Sequence, residues 1–492
     1  MRVAFRADAS IEIGAGHVMR CLALADALAA RGADCHFLCR ELPGHLCDRI
    51  EARNFAVSQL PAAGAAGAGS PGAVDDAAEF LAALSGPADI VVVDHYELGP
   101  EWEKAVTGHC SQLIVIDDLC RQHIASLVID QTLGRPASAY SHGQVAGVLA
   151  GSEYALLQPV YYRLREQLDR SVVPQEHRLL VSMGGYDALN VTASVLEVLA
   201  TSACDWIGRI DLVLSAAAPH FASIQKRVSE LDGRFVLHDF VEDMAGLMSR
   251  CTLAIGAPGS TTWERAVLGL PSVLVPFAAN QADVAVAMQD AHAAIAIGRE
   301  ALDTGLPTAL NRLRSHWPDY VHANLAVSAG LGCRRVVQRI LPALSRDGCS
   351  IWLAVAGEAD IAQVYRWQQM PEIRRHARNP QVPDRDGHYS WMRARLRDPF
   401  CYFYMICKSG EPAGVVRLDR QLPGEYEVSI YLAPALHGQG LGLIALNLLG
   451  ELHQELTIHA TVLPGNAASL RLFAAAGYQR ASDTEFVLPR RQ

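Results

Sequence analysis

The stretch Gly256-Ala257-Pro258-Gly259-Ser260-Thr261-Thr262-Trp263-Glu264-Arg265 decides how the chain is read. It follows the apolar run Leu253-Ala254-Ile255 and opens a helix-like one. Glycines let the backbone turn tightly, and Ser260 and Thr261 are residue types that start helices, where unpaired N–H groups gather. A phosphate suits such a place. Glu264 lies a turn further on, where its carboxylate could accept hydrogen bonds from two ribose hydroxyls. The combination fits a nucleoside diphosphate, and an ordinary capped helix with a solvated glutamate fits the same ten residues.

Outward from this stretch, short apolar runs alternate with amphipathic ones. They are Val3-Ala4-Phe5, Cys35 to Leu38, Ile90 to Val93, Leu113 to Ile116, Leu179 to Val181, Leu212 to Leu214, Leu253 to Ile255 and Ser272 to Val275. Strands spaced by helices predict an α/β fold of parallel sheets covered on both faces, with ligands at the carboxyl ends of the strands. A charged, less periodic segment from about Tyr161 to Arg178 places a border between two halves, with a cleft between them. The alanine-glycine run from Pro61 to Gly72 has nothing to pack and is expected to be a surface loop.

In the first half, Arg6-Ala7-Asp8-Ala9-Ser10 leads to Gly14-Ala15-Gly16-His17-Val18-Met19-Arg20. The helix that follows keeps Val18, Leu22, Ala25 and Leu28 on one face and stops at Gly32. His17 therefore stands in its first turn, at the ligand edge of the sheet. Imidazole exchanges protons near neutrality, which suits a general base, and a histidine satisfied by local backbone is the plainer alternative. Asp94-His95-Tyr96 and Asp117-Asp118 end two further strands and are expected to line the same cleft, although strand-end acids also cap helices. In the second half, Ser182-Met183-Gly184-Gly185-Tyr186-Asp187, His238-Asp239-Phe240-Val241 and Asn280-Gln281 occupy strand-to-helix junctions.

Composition narrows the possible partners. The 492 residues exceed one core, so two or three domains are expected. A net charge of -10 and a pI near 6.0 argue against a nucleic-acid partner. The 12 cysteines lack metal-ligand or disulfide-frame spacing, so reduced thiols and no metal are expected. Neither a signal-like start nor an uncharged span is evident, and a cytoplasmic chain without a membrane partner is expected; oligomeric state is not readable.

These motifs, with Ile116-Asp117-Asp118-Leu119 among them, occur in the order found in the UDP-sugar hydrolases of pseudaminic acid biosynthesis, which residues 1 to 335 resemble. That family releases UDP from UDP-2,4-diacetamido-2,4,6-trideoxy-β-L-altropyranose, and its fold is similar to GT-B glycosyltransferases. The resemblance implies two Rossmann-like lobes, about 1–160 and 175–335, without a metal. It makes His17 the catalytic base. It assigns Gly259, Ser260, Thr261 and Glu264 to diphosphate and ribose, and makes Arg6, Asp8, Gly16, Tyr96, Gly185, Phe240, Val241, Asn280 and Gln281 further substrate contacts. Thr132 stands where asparagine is expected.

From Ile351 the pattern changes. Trp352 to Val355 reads as a strand, Glu358 to Gln368 and Tyr389 to Arg397 as helices, and Tyr402 to Cys407 with Ala413 to Leu418 as a meander turning at Lys408 to Glu411. Glu427-Val428-Ser429-Ile430-Tyr431-Leu432 is a further strand, and His437-Gly438-Gln439-Gly440-Leu441-Gly442 opens an apolar helix. Successive N–H groups at such a glycine junction hold a diphosphate without cationic side chains. Downstream, Asn466-Ala467-Ala468-Ser469 leads to Phe473 and Gly477-Tyr478. About residues 349–488 thus resemble GNAT-type N-acetyltransferases, an α+β fold. The resemblance implies acetyl-CoA as cosubstrate, its pyrophosphate on His437 to Gly442 and its arm along Ile430, Tyr431 and Leu432, with Asn466, Ser469 and Phe473 nearby. Glu427 is the candidate base, or a solvent-facing strand residue. Many relatives carry a proton-donating tyrosine where Phe473 stands.

The two resemblances imply one bifunctional enzyme that N-acetylates a UDP-linked amino sugar and then hydrolyses the product. A glycosyltransferase using an alcohol acceptor, a nucleotide-sugar sensor, or an enzyme of another nonulosonate route would share these motifs.

Overall fold

The computed structural model of the protein describes residues 1–61, 72–84 and 86–491. Residues 62–71 of the alanine-glycine run lie outside the described residues. The chain divides into two compact units, Met1–Cys333 and Arg334–Gln492.

The first unit holds two large, wholly parallel sheets and a two-stranded parallel pair, Ile124–Ala125 with Gln144–Val145. One has the spatial order Ala56–Leu60, Asp34–Arg40, Arg2–Ala7, Ala88–Asp94, Cys110–Ile116, Leu127–Asp130, Val148–Ala150. The other runs Phe235–His238, Ile207–Val213, His177–Ser182, Leu253–Gly256, Ser272–Leu274, Ala294–Ala296. All eight apolar runs singled out in this half of the sequence are strands, and the central ones are buried on both faces. That double burial is why they read as continuous apolar runs rather than alternating ones. Short strands such as Ala56–Leu60, Val148–Ala150 and Ala294–Ala296 escape the sequence reading because their burial is mixed.

In each large sheet the strand order reverses between two central neighbours: Arg2–Ala7 beside Ala88–Asp94, and His177–Ser182 beside Leu253–Gly256. Chain crossing away from such a reversal leaves a crevice at the carboxyl ends. The turn carrying Gly16 and His17 follows the first pair, and Ala257 to Thr262 follows the second. The border segment is partly helical: Pro159–Gln167 packs on the helices Met244–Arg250 and Thr261–Val267 of the second sheet's lobe. Late in this unit, a Cβ on Gly332 would lie 2.1 Å from the Ala155 carbonyl oxygen, so the backbone there tolerates no side chain.

The second unit is one eight-stranded sheet, in the order Ala343–Leu344, Ser350–Val355, Cys401–Lys408, Glu411–Leu422, Glu425–Leu432, Thr457–Thr461, Glu485–Leu488, Gln479–Arg480. Its pairings are antiparallel except for Glu425–Leu432 against Thr457–Thr461. That parallel pairing covers only Glu425 to Glu427. Past Glu427 the two strands part. The helices Ile361–Gln368 and Arg385–Arg397 bury Ile361, Val364, Trp367 and Met392 against Phe403 and Met405.

All twelve cysteines are free thiols. No helix among the described residues is long and apolar enough to cross a membrane.

Candidate functional site

His17 lies in the first turn of the helix Gly16–Ala29, which starts just beyond the strand Arg2–Ala7. Its Nδ1 is 2.6 Å from Asp94 Oδ1, at the end of the neighbouring strand. Asp94 is wholly buried and also accepts from Arg20 Nε (2.5 Å) and Nη2 (2.6 Å). Burial alone would raise the Asp94 carboxyl, but the charge of Arg20 and the bonds from Arg20 and His17 hold it well below the usual carboxylate range. An ionised acceptor on Nδ1 fixes the proton there and leaves Nε2 as the nitrogen able to accept another. The Tyr96 ring meets the imidazole edge-on at 4.6 Å, and its hydroxyl donates to Asp118 Oδ2 (3.3 Å), which Arg20 Nη1 also reaches (3.1 Å).

These groups face a cavity of about 220 Å³ walled by both lobes of the first unit. Gly16, His17, Arg20, Tyr96, Asp118 and Arg135 come from one side. Pro258, Gly259, Ser260, Trp263, Gln281 and Asp283 come from the other. The approach is close, since a Cβ on Gly16 would stand 3.9 Å from Ser260 Oγ.

The turn bearing Ser260 is built by main-chain bonds. Gly259 N–H donates to Ala257 O (3.0 Å), Thr262 N–H to Gly259 O (2.9 Å) and Trp263 N–H to Ser260 O (3.1 Å). The expected side-chain cap does not form: Ser260 has helical φ and ψ and its hydroxyl caps nothing. Among the described residues the N–H groups of Ser260 and Thr261 take no partner, which leaves them for an anion. Glu264 is half-buried; burial pushes its carboxyl up and a bond from Tyr161 opposes this.

Not every sequence candidate meets this cavity. Arg6 and Asp8 are buried in a separate network, with Arg6 bonding Asp76 (3.0 and 2.8 Å) and Asp8 (2.6 Å). Arg40 Nη2 and Trp102 Nε1 complete it by donating to Asp76. Neither Arg6 nor Asp8 lines the cavity; their charges are satisfied within this network. Gly185 accepts from Ser215 N–H (3.0 Å), while Phe240 is largely exposed and Val241 half-buried, and none of the three lines the cavity. Gln281 lines it, with Oε1 fixed by the Phe277 N–H (3.0 Å); the side chain of Asn280 lies outside the description.

Of the strand-end acids, Asp117 turns inward to Arg121 and Tyr140, and only Asp118 reaches the cavity. Arg20 and Arg135 were not singled out from sequence. Arg20 lies three residues after His17, on the same helix face, which is the signal that would have found it. Arg135 carries no such pattern.

In the second unit, Gly438 and Gly440 adopt φ of +78° and +80° before the helix Leu441–Leu452, a backbone that L side chains adopt only with strain. At Gly442 the fit is tight, since a Cβ there would meet the Leu472 side chain at 3.2 Å. His437 Nε2 bonds Leu432 O (3.1 Å), and Gln439 Oε1 accepts from Lys408 Nζ (3.0 Å). The parting of strands past Glu427 lays Ile430, Tyr431 and Leu432 along an open strand edge, where main-chain groups can pair with an extended ligand. Asn466 Oδ1 caps the helix Ala467–Ala475 through Ser469 N–H (3.1 Å), so both residues serve the backbone. Phe473 is buried against Tyr478 and Phe486, at 5.1 and 6.1 Å. Glu427 is ion-paired to Arg378 and accepts from Thr461 (2.8 Å). Burial would raise its carboxyl, but these partners lower it, which makes it a weaker base. No group of three or more His, Cys, Asp or Glu arranged to hold a metal occurs among the described residues.

The folds and sites define an enzyme in two parts: GT-B-like Rossmann lobes followed by a GNAT-type domain. Residues 351–479 match the acetyltransferase (GNAT) domain family and residues 179–329 the glycosyltransferase family 28 C-terminal domain. The uncharacterized protein MJ1062 of Methanocaldococcus jannaschii is 23% identical across 98% of this chain and 97% of its own length. The UDP-2,4-diacetamido-2,4,6-trideoxy-beta-L-altropyranose hydrolase of Campylobacter jejuni is 24% identical over 58% of this chain and 95% of its own. Among solved structures, MurG of Acinetobacter baumannii aligns with a TM-score of 0.47 and 19% identity, over 69% of this chain and 99% of its own. The chain therefore joins a UDP-sugar hydrolase homologue to a GNAT acetyltransferase domain.

Proposed function

We propose that the chain is a bifunctional enzyme of pseudaminic acid biosynthesis. Its domains would be the base-carrying lobe 1–160, the UDP-binding lobe 175–335 and the acetyltransferase 349–488. The last transfers acetyl from acetyl-CoA to the 4-amino group of UDP-4-amino-4,6-dideoxy-β-L-AltNAc. The lobes then hydrolyse UDP-2,4-diacetamido-2,4,6-trideoxy-β-L-altropyranose to UDP and free sugar.

The observation that carries the hydrolase reading is His17, held through Nδ1 by Asp94 in a cavity whose opposite wall is the Gly259–Ser260 turn. Water bonds to the anomeric carbon as its proton passes to His17 Nε2. The bond from that carbon to the phosphate oxygen breaks, and its electron pair leaves with UDP. The charge gathering on the diphosphate meets the N–H groups of Ser260 and Thr261. Attack from the face opposite the leaving group inverts the anomeric centre. The name of the Campylobacter relative supports the sugar, and the relative spanning both parts supports their working as one chain. In the acetyltransferase, the Gly438 to Gly442 backbone holds the pyrophosphate of acetyl-CoA, and Glu427, directly or through water, takes the proton of the attacking amine.

The protein is incubated with the UDP-4-amino sugar and acetyl-CoA and followed by mass spectrometry and phosphorus NMR. Acetylated UDP-sugar should form first, then UDP with free diacetamido sugar. The glycosyltransferase match of residues 179–329 favours one rival, transfer to an alcohol. Free sugar appearing without any acceptor rules it out.

A further inference from the structure

Arg265 is 1% exposed, and its guanidinium lies under the turn that faces the cavity. Nη2 donates to Ala257 O (3.0 Å) and Thr262 Oγ1 (3.2 Å), and Nη1 to Thr261 Oγ1 (3.3 Å). A Cβ on Gly256 would stand 2.4 Å from Nη1, so glycine is required for this close packing. Nε is buried without a hydrogen-bond partner, and Arg265 forms no ion pair among the described residues. Burial raises the adjacent Glu264 carboxyl, which a bond from Tyr161 and the charge of Arg265 oppose, but it is not in ion-pair contact with Arg265. Burial also pulls the Arg265 guanidinium down, to about 10. Elsewhere in this unit Arg6 and Arg40 meet Asp76 and Arg20 meets Asp94, whereas Arg170 donates to the carbonyls of Leu268, Cys251 and Ser249. A buried guanidinium with no carboxylate in direct contact is costly, and a negative ligand on the far side of the turn would add to the charge it meets.

We propose that Arg265 is a positioning residue for a nucleoside diphosphate: from beneath the turn it fixes Ala257, Thr261 and Thr262 and supplies the positive charge that the diphosphate balances. The inference rests on assigning the Gly259–Thr261 turn to the diphosphate. It separates two contributions to one site, since the N–H groups of Ser260 and Thr261 give direction while Arg265 gives charge without touching the ligand.

The full chain is titrated with UDP by calorimetry and with uridine by ligand-observed NMR, for wild type, Arg265→Gln and Arg265→Lys. Arg265→Gln should weaken UDP more than tenfold and uridine less than twofold, with Arg265→Lys between. Equal losses for the two ligands, or an unchanged UDP affinity, overturn the proposal. If Arg265→Gln does not fold, thermal unfolding of the wild type decides. Pyrophosphate should raise the midpoint more than sodium chloride of equal ionic strength does, and no difference overturns the proposal. Wild type that binds UDP but releases none from the sugar nucleotide defeats the hydrolase reading and leaves the Arg265 role standing. A uniform loss of UDP and uridine binding does the reverse.

Discussion

Two buried ion networks sit at the carboxyl edge of the same sheet, and they differ in what they leave over. Around Asp76, the arginines 6 and 40, Asp8 and Trp102 use their polar atoms on one another. Around Asp94, Arg20 and His17 do the same except for His17 Nε2, and the cluster opens on the cavity through Tyr96 and Asp118. Burial and charge are alike in the two. An unspent atom beside a space is what distinguishes the second network from the first.

Substitutions should separate the networks sharply. His17→Ala should lower UDP release by about 10²–10⁴-fold, the usual span for a general base, while acetylated UDP-sugar accumulates. Unchanged UDP release would remove His17 from that role. Asp94→Asn should lower kcat for UDP release by about 10–100-fold through loss of imidazole orientation. Arg6→Met should do the opposite, destabilising by about 3–5 kcal/mol because Asp76 and Asp8 lose a buried partner, with kcat per folded molecule within about twofold of wild type. A large kcat loss in Arg6→Met, measured beside its denaturation midpoint, would erase the distinction drawn here.

Acidity tests both networks at once. Asp8 and Asp94 are pushed up by burial, yet their partners, His95 and Arg6 for Asp8 and Arg20 and His17 for Asp94, hold both below the ordinary carboxylate range. A depressed folded pKa contributes stability above the unfolded value of about 4, and that stability is lost as pH falls toward the folded value. Thermal midpoints should thus hold between about pH 7 and 5 and drop below about pH 4, and a protein equally stable at about pH 3 would contradict the assignment. The smallest effect is expected from Phe473→Tyr. The ring packs on Tyr478 and Phe486, so the added hydroxyl should cost about 1–3 kcal/mol without raising the acetylation rate, as steady-state assays would show.

Much of this was legible before any coordinates. The double burial of central strands writes unbroken apolar runs, so eight strands follow from sequence, whereas the strand order and its reversals were not read from it. The glycines at 438 and 440 are legible because left-handed backbone favours that residue type. Side-chain direction was not legible. Arg6 and Asp8 end one strand as Asp94 ends its neighbour, and only the packing of Asp76 from a distant helix shows which pair turns inward. The cap expected of Ser260 failed for a local reason, since that residue already has helical φ and ψ.

The absence of room at Gly332 bears on any attempt to pull the two activities apart. With the Ala155 carbonyl pressed against that backbone, a seam cut before it would strip the hydrolase half of a strand of chain it closes upon. Co-expressed halves should therefore be divided beyond Cys333, where the second compact unit begins, and a replacement tether grafted upstream of that point would have to keep glycine at 332.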